Sequence, residues 1–264
     1  LKKPNGMILN TGPTGSGKTT TLYKKKKKIH TSEVKIITIE NPIEYHIKGI
    51  LQTQTSEEKD YTFSEGLRSA LRQDPDIIMV GEIRDDETAQ IAVNSALTGH
   101  LVFSTLHTNN AAGTFPRLID LGVNPKVLTS AINLAMAQRL VRKLCPACKK
   151  KTSPNEVDKV IIKKVIESIK DKEILKGINT QSIYEPVGCK ECNFTGFKGR
   201  TGIYEAIMID EKIEEVVVNN PSERELAKAA EEQGIPTMLQ DGMIKVLQGV
   251  TSIKELARVI DLGN

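Results

Sequence analysis

The sequence predicts an α/β fold built on a mainly parallel, doubly wound sheet, and three observations carry that expectation. Short apolar runs alternate with stretches of helical periodicity over residues 1–142. The runs are apolar throughout rather than at every second position, as in strands buried on both faces. The first of them leads straight into a glycine-rich loop and then a helix, the order that a phosphate-binding loop requires.

Met7-Ile8-Leu9 is that first strand, and the loop is Gly12-Pro13-Thr14-Gly15-Ser16-Gly17-Lys18-Thr19, with Thr20 to Ile29 propagating as a helix. At ordinary residue frequencies, a chain of this size would match Gly12-x4-Gly17-Lys18-Thr19 by chance roughly one time in a hundred. The glycines let backbone N–H groups turn inward around phosphate oxygens, and the helix amino terminus adds partial positive charge. Lys18 is the candidate to bridge the terminal phosphates, and Thr19 the candidate to offer its hydroxyl to Mg²⁺.

A second run, Val34 to Ile39, ends in Glu40-Asn41-Pro42, where proline forbids further ladder pairing. Phe63 to Leu71 reads as a helix. Ile77 to Val80 follows Asp74-Pro75-Asp76 as a third strand and ends in Gly81-Glu82. Asp85 to Leu97 is a clearer helix, acidic in its first turn and stopped by Gly99. Leu101 to Leu106 is a fourth strand, bracketed by His100 and His107. In an open α/β sheet, ligands gather at the carboxyl edge of the strands. Glu82, after the third strand, is therefore the candidate to polarise an attacking water; glycine holds the position where an aspartate usually ligates the metal. Glu40 and Glu44 could reach Mg²⁺ through water. His107, at a carboxyl end, is placed to sense a γ-phosphate. His30 and His46 read as structural. Lys24 to Lys28 reads as a solvated helix face, with Lys25 or Lys26 laying its stem along the sheet.

Beyond residue 142 the character changes. A lysine-rich stretch opens at Lys149, and Val157, Val160, Ile161, Val165 and Ile169 recur at helical spacing. Ser222-x-x-Glu225 and Ser252-x-x-Glu255 read as capping boxes of two late helices, which predicts a helical bundle for the tail. Cys145, Cys148, Cys189 and Cys192 form two C-x-x-C pairs. Such pairs fit a closed four-thiolate zinc site, although the 40 residues between them exceed the usual ribbon spacing. Four thiolates leave no open position for a catalytic water.

Composition excludes several classes. The chain has 264 residues, 39% apolar and 27% charged, the balance of a globular protein. A net charge of +4 is too small to mark a nucleic-acid binder, and 4% aromatics without tryptophan leave few stacking platforms. No apolar run approaches a membrane span, and no signal peptide is evident, so the expected compartment is cytoplasmic. The first residue is Leu1, and the chain reads as part of a longer one.

Four segments in order resemble the secretion ATPase superfamily: Gly12 to Tyr23, Ile39 to Tyr45, Leu71 to Asp85 and Thr98 to Asn109. The type II secretion and type IV pilus assembly branch is the most similar. Its four-cysteine element follows a segment like Ala137-Gln138-Arg139-Leu140-Val141-Arg142. The resemblance implies a RecA-like P-loop NTPase core at 1–142, a zinc subdomain with a helical insert at 143–204 and a C-terminal helical region at 205–264. It implies a homo-hexameric ring that hydrolyses ATP with Mg²⁺, docked on platform and assembly proteins at the cytoplasmic face of the inner membrane. In that family Glu40 and Glu44 fall in an acidic box, Glu82 is the catalytic glutamate and His100 and His107 form a histidine box. Retraction relatives generally lack the cysteines. Asn41 stands where an aspartate is common, and arginines that complete the family's pocket lie in a region absent here, which predicts weak turnover for this stretch alone. Two other readings are a nucleotide-gated assembly module with little turnover and a RecA-like nucleic-acid motor. A GTPase is disfavoured, since no N-K-x-D signature occurs.

Overall fold

The computed structural model of the protein describes the backbone of residues 3–29, 31 and 33–263, and the side chains of these apart from 24–29. His30 and the side chains of Lys24 to Lys28 therefore lie outside the described residues. The elements run β1 (Gly6–Thr11), α1 (Lys18–Ile29), β2 (Ile36–Glu40), β3 (Leu51–Gln54), α2 (Phe63–Leu71), β4 (Ile77–Val80), α3 (Asp86–Leu97), β5 (Leu101–Leu106), α4 (Thr114–Asp120) and α5 (Pro125–Ala131). They continue as β6 (Ile132–Leu144), β7 (Lys150–Thr152), α6 (Glu156–Ser168), β8 (Ile183–Glu185), β9 (Phe197–Met208), α7 (Glu211–Asn219), α8 (Glu223–Ala230), α9 (Met238–Leu247) and α10 (Ile253–Ala257).

Contacts divide the chain into two compact units: residues 1–137 with 207–233, and residues 138–206 with 234–264. The first carries a sheet in the order β3-β2-β4-β5-β1-β6, and the strand pairs from β3 to β6 are parallel. The strands β1, β2, β4 and β5 are buried along their whole length because both faces are covered. On one face Ile8, Ile36, Ile77, Met79, Leu101 and Phe103 cluster with Leu22 and Tyr23 of α1. The alternate residues Met7, Leu9, Ile37, Ile39, Ile78 and Val102 are at most 1% exposed. Each such side chain contributes about 1.5–3 kcal/mol by leaving water.

The register fixes where the chemistry goes. Thr11 lies level with Leu106, Glu40 with Gln54, and Val80 with both Ile39 and Ser104. The residues that follow these strands, and the loop after β1, consequently share one edge.

In the second unit β6 continues next to β9, and β7 pairs antiparallel with β8. Several elements depart from the sequence reading, among them the strands β6 to β9, which it did not contain. The polar strand β3 and the helices α4 and α5 carry no strong periodicity and were not expected. Of the late helices, α7 and α8 belong to the first unit, α9 and α10 to the second. The contact division therefore does not follow the linear division at 142 and 204. Ser222 and Ser252 do cap their helices, accepting from Glu225 N–H and Glu255 N–H, but neither box closes. Glu255 turns instead to Arg142 and Arg258. The reciprocal box is Thr237 with Gln240, at 3.3 and 2.9 Å.

Candidate functional site

The loop from Gly12 to Lys18 joins β1 to α1, and it is shaped by glycines that hold left-handed backbone. Gly15 has φ 78° and Gly17 φ 86°, which side-chain-bearing residues resist. Lys18, 9% exposed, folds over the loop and donates from Nζ to Gly12 O at 2.7 Å and Pro13 O at 3.1 Å. A buried ammonium needs such oxygen partners, and phosphate oxygens satisfy the same need more strongly. Pro13, Thr14, Gly15 and Thr20 are exposed, Thr19 half-buried and Ser16 buried. Thr19 lies in the first turn of α1 and is the residue whose hydroxyl could hold magnesium beside a phosphate.

Glu82 and His107 come together across this edge. Glu82 Oε2 lies 3.3 Å from His107 Nε2 and 2.6 Å from Arg84 Nε. The carboxylate raises the Arg84 pKa through that hydrogen bond. Backbone pairing fixes the approach: Ile83 N–H donates to Thr105 O at 3.0 Å, and Thr105 Oγ1 donates to Gly81 O at 2.7 Å. Gly81 is glycine for packing. A Cβ there would sit 3.1 Å from Ile39 O and 3.2 Å from Phe63, so a side chain at this position needs its neighbours to give by a few tenths of an ångström. Arg84 is a neighbour of Glu82 that the sequence reading missed, although it stands two residues away.

Glu40 is set differently from the expected water-facing ligand. It is 2% exposed; one oxygen accepts from Thr38 Oγ1 at 2.6 Å and Gln52 Nε2 at 3.1 Å, the other from Tyr23 Oη. Burial, then this hydrogen bond to Glu40, pushes the Tyr23 hydroxyl well above its ordinary pKa. Glu44 is exposed on the following loop, and its charge adds the smallest part of that rise. His46 is exposed.

His100 is a correction. Its carbonyl accepts from Gly6 N–H at 3.1 Å, and its Nδ1 lies 3.1 Å from Ser95 O. It thus stands at the amino end of β5, while the phosphate-type loop follows the carboxyl end of β1. Six strand residues separate the two histidines, roughly 20 Å at the rise of an extended chain. His100 does not join the nucleotide site of its own chain.

The second unit gathers the four cysteines. The 40-residue separation is closed by the antiparallel pairing of β7, which starts two residues after Cys148, with β8, which ends four residues before Cys189, while α6 lies in the connection between them. Cys145 Sγ lies 3.9 Å from Cys189 Sγ, and Cys192 Sγ lies 3.8 Å from both Cys148 Sγ and Cys189 Sγ. All four fall within 4.8 Å of one another. A tetrahedron with metal–sulfur bonds of about 2.3 Å has edges of about 3.8 Å, so the set fits zinc; a disulfide would need about 2.05 Å. Backbone N–H groups of Gly188, Cys189 and Gly196 point at the sulfurs from 3.2 to 3.3 Å, the outer hydrogen bonds that thiolates require. Burial opposes ionisation at Cys192, yet the N–H donors of Cys189 and Gly196 bring its thiol down to about 6. Burial pushes the Cys148 thiol up to about 11.

The family model described as type II/IV secretion system protein matches residues 1–258. The chain belongs to this family. Among its relatives, the type II secretion system ATPase E of Vibrio cholerae is 48% identical over 259 residues, 98% of this chain and 49% of that protein. The type IV pilus assembly ATPase PilB of Myxococcus xanthus is 45% identical over 256 residues, covering 97% and 44%. The crystal structure of the pilus retraction motor PilT with bound ADP superposes with a TM-score of 0.68 at 29% identity, over 98% of this chain and 62% of that one. The chain spans about half the length of the curated relatives it matches. Among the described residues, no helix is long and apolar enough to cross a membrane.

Proposed function

We propose that this chain is the ATP-hydrolysing core of a homo-hexameric motor that powers assembly of type IV pili or type II secretion pseudopili. The motor would work at the cytoplasmic face of the inner membrane against platform and assembly proteins. The observation that carries this reading is the convergence of the Gly12–Lys18 loop, Glu82 and His107 on one sheet edge, in a chain whose relatives are named secretion and pilus ATPases.

In this reading the loop N–H groups from Gly12 to Thr20 bind the phosphates, and Lys18 exchanges its two loop carbonyls for β- and γ-phosphate oxygens. Glu82 accepts the proton of the attacking water, and His107 steadies the γ-phosphate from beside it. Magnesium, held by the Thr19 hydroxyl, supplies neutralisation of phosphate charge. Glu40 fixes Tyr23 of α1 behind the loop, and Glu44 adds negative charge on the rim. Zinc, held by Cys145, Cys148, Cys189 and Cys192, supplies a cross-link and takes no part in hydrolysis.

The test compares ATP turnover of the full-length protein with that of Lys18→Ala. Turnover falls by about 100-fold or more when the cation that meets developing phosphate charge is removed. Equal rates in parent and variant sink the motor reading.

A further inference from the structure

The loop that carries His107 is tied to a helix more than a hundred residues away. Thr11, the last residue of β1, is fully buried; its Oγ1 accepts Thr108 N–H at 2.8 Å and lies 2.6 Å from Thr108 Oγ1. Thr108 Oγ1 also lies within hydrogen-bond reach of Asn110 O, at 2.9 Å. Asn110 then faces two ways. Its Oδ1 accepts Gly113 N–H at 2.8 Å, which fixes the amide orientation, and its Nδ2 donates to Glu223 Oε1. Gly113 leaves the space this pairing needs, since a Cβ there would lie 3.2 Å from Glu223 Oε2 and 3.3 Å from Asn110 Oδ1. Glu223 is exposed, among the described residues no lysine or arginine pairs with it, and the bond from Asn110 turns its carboxylate to this loop. Glu223 opens α8, which packs on α7, and α7 in turn packs on α5.

We propose that Glu223 is a positioning residue of the nucleotide site, acting through Asn110 and Thr108 on the segment that holds His107 against Glu82 and that meets β1 where the phosphate loop begins. The inference rests on the reading of that edge as a hydrolytic site. It makes the α7–α8 pair a lever on the loop: a shift of α8 displaces Asn110, and nucleotide held by the loop orders the start of α8.

A carboxylate in the first turn of a helix is also favourable for the helix alone, and two substitutions separate the roles. Glu223→Asp keeps the charge but is one methylene too short to reach Asn110. Glu223→Gln keeps the length and the acceptor and gives up the charge. In the full-length protein with Mg²⁺ and ATP, Glu223→Asp lowers kcat about tenfold with KM unchanged, and Glu223→Gln stays within about twofold of the parent. Asn110→Asp, which sets two carboxylates face to face, is as slow as Glu223→Asp, and adding Glu223→Gln to it restores turnover by supplying a donor. Hydrogen exchange gives a readout that does not depend on hydrolysis: Mg²⁺ADP slows amide exchange at 222–226 in the parent and not in Glu223→Asp. If the parent turns over no faster than Lys18→Ala, the hydrolytic reading is what fails. If the parent is active and Glu223→Asp matches it, or Glu223→Gln is as slow as Glu223→Asp, or exchange at 222–226 ignores nucleotide, the positioning role is overturned.

Discussion

The two units each hold one cluster of committed side chains, and the clusters are built by opposite rules. The cysteine centre is closed: four sulfurs lie within 4.8 Å of one another, three of their separations at 3.8–3.9 Å, three backbone N–H groups support them, and Cys145 and Cys192 are at most 6% exposed. The nucleotide edge is open. Glu82 and His107 come from two strand ends and Lys18 and Thr19 from a helix start, and Pro13, Thr14 and Gly15 face solvent. A metal that stays needs every ligand satisfied from within; a substrate that comes and goes needs partners waiting around a space. The same protein carries both because helices and strand ends fix the open site, whereas the closed one is set by two short turns that the β7–β8 pairing brings together.

That contrast can be broken most forcefully at the cysteines. Purified protein is expected to hold about one zinc per chain, and chelation removes on the order of 10 kcal/mol of folding free energy from the second unit. Amides in 138–206 then lose exchange protection while β1 to β5 keep theirs. Less than about half an equivalent of zinc with four titratable thiols would contradict the closed site. Glu82→Gln tests the open site next: turnover drops about 10²- to 10⁴-fold while nucleotide affinity holds, because the side chain keeps its shape and loses only its basicity. A variant that fails to bind nucleotide would instead mark Glu82 as part of the frame.

The smallest effect concerns Glu255. Burial alone would raise its carboxyl, but hydrogen bonds from Arg258 and Arg142 outweigh it and hold the pKa near 2. A depressed folded pKa contributes stability above the ordinary carboxylate value, and that contribution disappears as pH falls from about 4.5 towards 2. Glu255→Gln should cost about 3 kcal/mol in urea unfolding at neutral pH, the lower end for a broken buried pair because both arginines can turn to water. Its stability should be nearly flat across the acid window in which the parent weakens. A parent equally flat there would remove the ion pair from the account.

Legibility followed locality. Ile77–Val80, Leu101–Leu106 and Phe63–Leu71 fall where the sequence puts them, because each is a strong local pattern punctuated by Asp74-Pro75, Gly81 or Gly99. The strand Leu51–Gln54 was silent: it is an edge strand with polar residues at three of its four positions, held by backbone pairing to β2 rather than by its own composition. The pair His100 and His107 looked symmetric about a strand, yet strand direction sends them to opposite edges. Glu40 was recognisable as an acidic residue at a strand end; its burial beneath Tyr23 and Gln52 depended on β3, which the sequence did not reveal. The Asn110–Glu223 contact had no local signal at all.

The division of the first unit has a consequence for how the protein comes off the ribosome. Residues 207–233 complete that unit, but residues 138–206 are made first. Asn110 waits 113 positions for Glu223. At about 5–20 residues per second, α8 emerges roughly 6–23 s after the loop it ties down. During that interval the nascent chain can already present the Gly12–Lys18 loop and a parallel sheet without the helix whose Glu223 meets Asn110.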